Sequence, residues 1–385
     1  METRGITRIL STAALLGAVL ALPAGCRKAD GPDGGGAAKA TLDIRVSVDG
    51  TRDAGGVETR SVVTGNTLNQ SGRTYGIIAC EHEDSPAAFR IYDADDANIY
   101  GNIQAKYSGS RWVYGFEPTV SAPFYPLFFV TQDTSRHMDL YAYAPWKRGI
   151  TVGAGYEYDL ALVNEPDIPD LMYATYEDGD GNRTNRDITF VNNANIPVDI
   201  HFHHALSRIA FHFRLAKEQY AGLDGWHAMR LWQIDLRRSE SSATPLYTHG
   251  TMDLLTGEVT HMGKSQEQQT VTYATDLNRT DAVSTYDVYK EGVWKTFNML
   301  VHPTGYEQGG DFSFRFFFNG NTPSTQAFIQ DYPIPVSDLR HGDGTCGFQP
   351  GYCYHFYFVI DNYIHLQNVV IDTDWTSADE TEIKI

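Results

Sequence analysis

Positive charge, long apolar runs and helical periodicity are all scarce in this chain. Its 385 residues carry 30 Lys and Arg against 48 Asp and Glu, a formal net charge of −18. Phosphate backbones would be repelled, which argues against nucleic-acid binding. Beyond the first residues no segment is apolar enough to span a bilayer. Segments with a 3.6-residue period are also few; Ala216–Leu223 reads as one or two helical turns at most. There is no nucleophile elbow, phosphate loop or paired metal motif, so nothing points to an enzyme or to a cofactor. Cysteine is limited to Cys26, Cys80, Cys346 and Cys353. If Cys26 is used elsewhere, the remaining three cannot all pair within one chain.

Strand-forming residues are abundant, with 23 Tyr, 19 Phe and 6 Trp. Aromatic and β-branched side chains favour a half-buried pleated surface. Alternation with period two confirms the leaning. Leu42, Ile44, Val46 and Val48 point one way while Asp43, Arg45 and Ser47 point the other. Thr74–Cys80, Pro126–Val130, Met138–Tyr143, Tyr156–Val163 and Leu171–Tyr176 read as further strands. Val198, Ile200 and Phe202 share a face, as do Ile209, Phe211, Phe213 and Leu215, but in opposite phase. The phase change predicts a bulge or bend near Ala205. Phe312, Phe314, Phe316 and Phe318, then Tyr354, Phe356, Phe358 and Ile360, form two later ladders, followed by Val369–Ile371 and Trp375. Many short strands between Gly, Pro and Asn turns predict an all-β protein of the sandwich type. The polar stretch Asn192–Pro197 marks the expected boundary between domains at 41–195 and 196–385.

The N-terminus reads as an export signal. Arg4 and Arg8 precede an uncharged apolar run, Ile9–Leu22, which ends at Leu22-Pro23-Ala24-Gly25-Cys26. A positive start, a short apolar stretch and small residues before a lone cysteine look like a bacterial lipoprotein signal. The expectation is a signal peptide at 1–25 and lipidation, including palmitate, at Cys26. Residues 26–40, rich in Gly and Ala, then serve as a flexible tether. Acyl chains anchor at about 0.8 kcal/mol per buried methylene.

Several motifs line up with a known family. Met138-Asp139-Leu140-Tyr141-Ala142-Tyr143-Ala144-Pro145 is one. Asp170-Leu171-Met172-Tyr173-Ala174 is another. Phe202-His203-His204-Ala205-Leu206-Ser207-Arg208-Ile209 and Phe348-Gln349-Pro350-Gly351-Tyr352-Cys353-Tyr354 complete the set. In this order and spacing the chain resembles the fimbrillin family, the type V pilus subunits of Gram-negative anaerobes. The resemblance implies two transthyretin-like, Greek-key β-sandwich domains in tandem and export to the outer membrane as a surface-exposed lipoprotein. It further implies that an arginine-specific protease removes the N-terminal segment with the first strand, and that a strand from a neighbouring fimbrillin subunit fills the groove. Leu42, Ile44, Val46 and Val48 are then the exchanged strand, within residues 41–60. Arg60, and second Arg52, are the processing sites in a polar loop. Thr381, Ile383 and Ile385 alternate within Glu380–Ile385, which reads as a donor strand or a final edge strand. Assembly into adhesive pili is the leading function. A non-polymerising surface lipoprotein binding host glycan or glycoprotein is the alternative.

Other constellations are weaker. Cys346 and Cys353 flank a Gly and Pro-Gly turn, so they read either as a disulfide or, with Cys80, as separate thiols acting as small hydrophobes. His201 and His203 share a strand face, with His204 and His212 near, but no carboxylate or cysteine converges on them, so no metal site is expected. Asp178-x-Asp180-x-Asn182 lacks the Gly and Glu of a calcium loop, having Arg183 and Thr189 there, and reads as a turn. Asp93, Asp95 and Asp96 form an acidic loop. Trp112, Trp146, Trp226, Trp232 and Trp294 are candidates either for sugar stacking or for the core.

Overall fold

Period-two alternation places one side of each segment in a core, and the order of pairing then decides which core. The structure, a computed structural model, describes residues 44–48, 68, 73–83, 90–91, 102–108, 112–115, 136–150, 155–160, 170–174, 185–188, 198–215, 230–240, 242, 244, 246–261, 270–274, 295–306, 311–319, 326–360, 364–372 and 375. Cys26, Arg52, Arg60, Leu42, the 192–197 stretch, the 178–182 turn, the 93–96 loop and the 380–385 run lie outside these. Apart from a short 3₁₀ turn at Val336–Leu339 and the helical residue Leu68, the regular structure described is strand.

The first sheet has eight strands. They are β1 (Ile44–Val48), β2 (Thr74–Glu83), β3 (Arg90–Ile91), β4 (Ile103–Tyr107), β5 (Trp112–Gly115), β6 (Arg136–Ala144), and, beyond β7 (Tyr156–Asp159), β8 (Met172–Ala174) and β9 (Val198–His204). Their order is β1-β9-β8-β6-β2-β4-β5, with β3 also paired to β2. The central strands are buried on both faces. Tyr75, Ile77 and Ala79 of β2 enter one core, with Leu140 and Ala142 of β6; Ile78 and Cys80, with Tyr141 and Tyr143, enter another. That is why Thr74–Cys80 reads as a continuous apolar run rather than an alternating one. Gly76 lies opposite Tyr143, whose ring occupies the space a Cβ would need.

After β9 the chain changes sheets at Ala205–Leu206, which is the physical content of the phase change between Phe202 and Ile209. β10 (Ser207–Leu215), β11 (Arg230–Arg238), β12 (His249–Met252), β13 (Val259–His261), β14 (Thr270–Ala274), β15 (Lys295–Val301), β16 (Thr304–Gly305), β17 (Phe312–Asn319), β18 (Gln326–Pro333), β19 (Gly347–Phe348), β20 (Cys353–Ile360) and β21 (Ile364–Asp372) follow. Two four-stranded sheets result, β15-β10-β20-β21 and β14-β11-β17-β18. They face each other through phenylalanines. Phe211 meets Phe314 at 4.8 Å and 81°, Phe356 meets Phe314 at 4.9 Å and 82°, and Phe358 meets Phe316 at 5.1 Å and 70°. These edge-to-face pairs each add about 0.5–1.5 kcal/mol beyond the area they bury.

The two halves of the chain are laced together. β7, from before residue 160, pairs with β12, which pairs with β13. Tyr156 and Tyr158 of β7 join the same core as the phenylalanines, and residues 39–385 form one compact unit. At the other side, the Gln330 side chain of β18 receives the Ile364 N–H at 2.8 Å and donates to the Ile364 carbonyl at 2.9 Å. One amide thus ties the edges of the facing sheets. Gln330→Ala is expected to lower unfolding stability by about 1–2 kcal/mol, because two main-chain groups lose their partner. Urea denaturation checks this, and an unchanged midpoint refutes the tie.

Candidate functional site

β1 ends the eight-stranded sheet, and among the described residues its one strand partner is β9. The pairing is parallel, with Ile44 opposite Val198, Val46 opposite Ile200 and Val48 opposite Phe202. Ile44 and Val48 are buried, Val46 is half-buried, and Arg45 and Ser47 are exposed. Three of the four residues expected to form the exchanged strand therefore share the inward face; Leu42 lies outside the described residues. They pack on the first core with Val198, Ile200 and Phe202, all fully buried. Burial at this edge is worth about 1.5–3 kcal/mol for each fully buried side chain. Removing β1 would open both the apolar groove and the main-chain edge of β9.

Three of the four sequence motifs converge at one junction between the halves. His204 Nδ1 lies 3.0 Å from Asp170 Oδ1, both side chains being buried. The Ser207 hydroxyl donates to the Gln349 carbonyl at 2.7 Å, and Gly351 N–H donates to the Leu206 carbonyl at 2.9 Å. Arg208 donates to Asn298 Oδ1 at 2.8 and 2.6 Å and to the carbonyl of Trp375. Trp375 stacks flat on His204 at 3.6 Å and 3°, and its indole N–H reaches the Gly351 carbonyl at 2.7 Å. Three of the four motifs, joined by Asn298 and Trp375, thus supply the partners of a lock that no single stretch of sequence displays.

A family model described as fimbrillin-like matches residues 59–375. The chain belongs to the fimbrillin-like family. Fimbrillins are fimbrial proteins, so membership implies a place at the cell surface and association with other fimbrial subunits. Solved structures share the fold at low identity. A candidate cell adhesion protein of Bacteroides uniformis is 14% identical, over 88% of this chain and 98% of that one, with a TM-score of 0.50. One of Bacteroides ovatus is 12% identical over 89% and 100%, at 0.52. A fimbrial protein of Bacteroides vulgatus is 14% identical over 86% and 99%, at 0.51. No curated protein matches the chain.

In this fimbrillin-like chain the other candidate residues fall as follows. Cys80 is buried in β2. Cys353 is buried in β20, and Cys346 is half-buried where it bridges to Arg340. Burial, with the charge of Asp139, pushes the Cys80 thiol up to about 11, so it is not a reactive thiolate at neutral pH. His201 and His203 stand edge to face at 5.1 Å, and among the described residues no three His, Cys, Asp or Glu converge to hold a metal. Trp112 packs edge-on against Tyr75 at 4.6 Å, and Trp146 packs against the larger core. Trp232 lies in β11; Trp226 and Trp294 lie outside the described residues. An open cleft of about 780 Å³ runs between residues 337–343 and β21, and its lining includes Ser337, Asp338, Asp343, Tyr352 and Asn368. Sequence reading did not find it, since its two walls come from separate stretches of chain.

Proposed function

We propose that this fimbrillin-like chain is a structural or accessory subunit of a cell-surface fimbrium that assembles by exchange of β1. The observation that carries this reading is that β1 is a five-residue strand held, among the described residues, by one neighbouring strand, with its apolar face seated in the core. Strand addition uses main-chain hydrogen bonds for affinity and alternate side chains for fit. In this scheme the precursor is exported through residues 1–25, lipidated at Cys26 and held at the outer membrane by the 26–40 tether. An arginine-specific protease cuts after Arg60, or at Arg52. β1 then leaves with residues 41–60, and a neighbouring subunit's strand takes its place on β9. The body is read as two transthyretin-like sandwiches, at 41–195 and 196–385.

Treating the purified precursor with an arginine-specific protease tests the scheme. Mass spectrometry is expected to show loss of the segment through Arg60 or Arg52, with a ladder of oligomers on mild-detergent gels. A chain that keeps its N-terminal segment, or loses it and stays monomeric, counts against strand exchange. The polar cleft between 337–343 and β21 favours a second reading, a surface module that binds host glycan or glycoprotein. Glycan-array binding by a monomer absent from sheared filaments would support that one instead.

A further inference from the structure

The inward side of β1 explains how the groove is filled but not how one strand would be preferred over another. Any segment with alternating apolar residues satisfies the core, and main-chain bonding is indifferent to sequence. The outward side is different. In the parallel register Arg45 stands opposite Asp199 and Ser47 opposite His201. Ser47 Oγ lies 2.7 Å from His201 Nδ1. His201 is braced from behind by His203, edge to face at 5.1 Å, which in turn lies 5.5 Å from Tyr173 of β8. The row Tyr173, His203, His201 thus holds a ring nitrogen towards the position of residue 47. Asp199, on the same face of β9, is the register partner of residue 45.

We propose that Asp199 and His201 read the outward side chains of the strand lying on the β9 edge. The edge then selects a segment of a neighbouring subunit that carries three β-branched residues inward, a base opposite Asp199 and a hydroxyl opposite His201. This rests on the strand-exchange reading. A base at the first outward position is attracted by the carboxylate, whereas an acid is repelled, as for opposite and like charges on facing strands. A hydroxyl at the second bonds the imidazole in either tautomer, since it both donates and accepts. One such hydrogen bond corresponds to about a fivefold preference.

The test offers labelled peptides to the full-length chain after arginine-specific cleavage. The first probe is the β1 sequence itself, Leu42–Gly50. Its Arg45→Glu and Ser47→Val forms are expected to be captured about fivefold more weakly. Asp199→Lys in the protein is expected to reverse the charge preference, favouring the Arg45→Glu peptide. His201→Phe is expected to abolish the difference between Ser47 and Val. Equal capture of all three peptides overturns the assignment while leaving strand exchange standing; capture of none overturns both. Should the cleaved chain aggregate, unfolding of the intact chain in an Arg45→Glu, Asp199→Lys double-mutant cycle decides the charge pair. Coupling between the two sites supports it, and strict additivity sinks it.

Discussion

Replacing Trp375 by alanine is expected to lower the free energy of unfolding by about 3–5 kcal/mol, as for other fully buried large aromatics. Trp375 has no exposed surface. Its ring covers His204 at 3.6 Å, and its N–H reaches the Gly351 carbonyl at 2.7 Å. Its carbonyl takes a bond from Arg208, whose guanidinium also holds Asn298. Deleting the indole leaves the Gly351 carbonyl unpaired and opens a cavity over the buried His204–Asp170 pair. Because that pair joins β9 to the segment leading into β8, while Gly351 leads into β20, the damage falls on the joint between the halves. Trp375→Phe keeps most of the stacking and loses only the N–H, so a loss of about 1 kcal/mol is expected. Chemical denaturation followed by circular dichroism measures both. A loss under about 1 kcal/mol for the alanine variant would mean that the junction is not a stabilising lock.

Acidification from pH 7.5 to 5 is expected to remove about 2 kcal/mol of stability for each of two buried histidines. His212 and His355 lie on the face of β10 and β20 opposite the phenylalanines. His212 Nε2 is 3.0 Å from His355 Nδ1, its Nδ1 is 2.8 Å from Thr296 Oγ1, and Tyr357 stacks on it at 4.3 Å. Burial pulls His212 down to about 2, helped by His355 and Arg208. Burial pulls His355 down to about 4, helped by Arg208 and opposed by Asp372. An unfolded histidine titrates near 6.5. Above that pH both states are neutral and the pair has no pH-dependent effect. Below it the unfolded chain takes up protons that the folded chain refuses, so stability falls as pH falls towards the folded values. The comparison is between the wild type and a His212→Asn, His355→Gln variant, each unfolded in urea at both pH values. The variant should lose less on acidification, by up to about 4 kcal/mol. An equal loss would show that the pair does not stay neutral and buried.

The inward set Ile44, Val46 and Val48 was legible in the sequence because a strand's side chains alternate whatever it pairs with. So were Phe312, Phe314 and Phe316, and the burial of Tyr354, Phe356 and Phe358. The local turn at Ala205–Leu206 showed itself as a change of phase. Asp170, His204, Ser207, Arg208 and Gly351 stood out as motif residues, yet their contacts were not readable, since partners lie 24 to 167 residues apart. The same limit hid the Ser47–His201 bond across 154 residues.

The sequence by itself determined the all-β class, most strand positions and which side chains of each strand share a face. Those follow from steric preference and from burying one side of a pleated ribbon, both local matters. Only the tertiary structure decided that β1 runs parallel to β9 at a sheet edge, that β10 and β20 pair in parallel, and that β7 crosses to β12. Period two is the same for a strand at an edge or in the centre, parallel or antiparallel. Which ribbon lies beside which is settled by how the separate apolar faces close two cores at once.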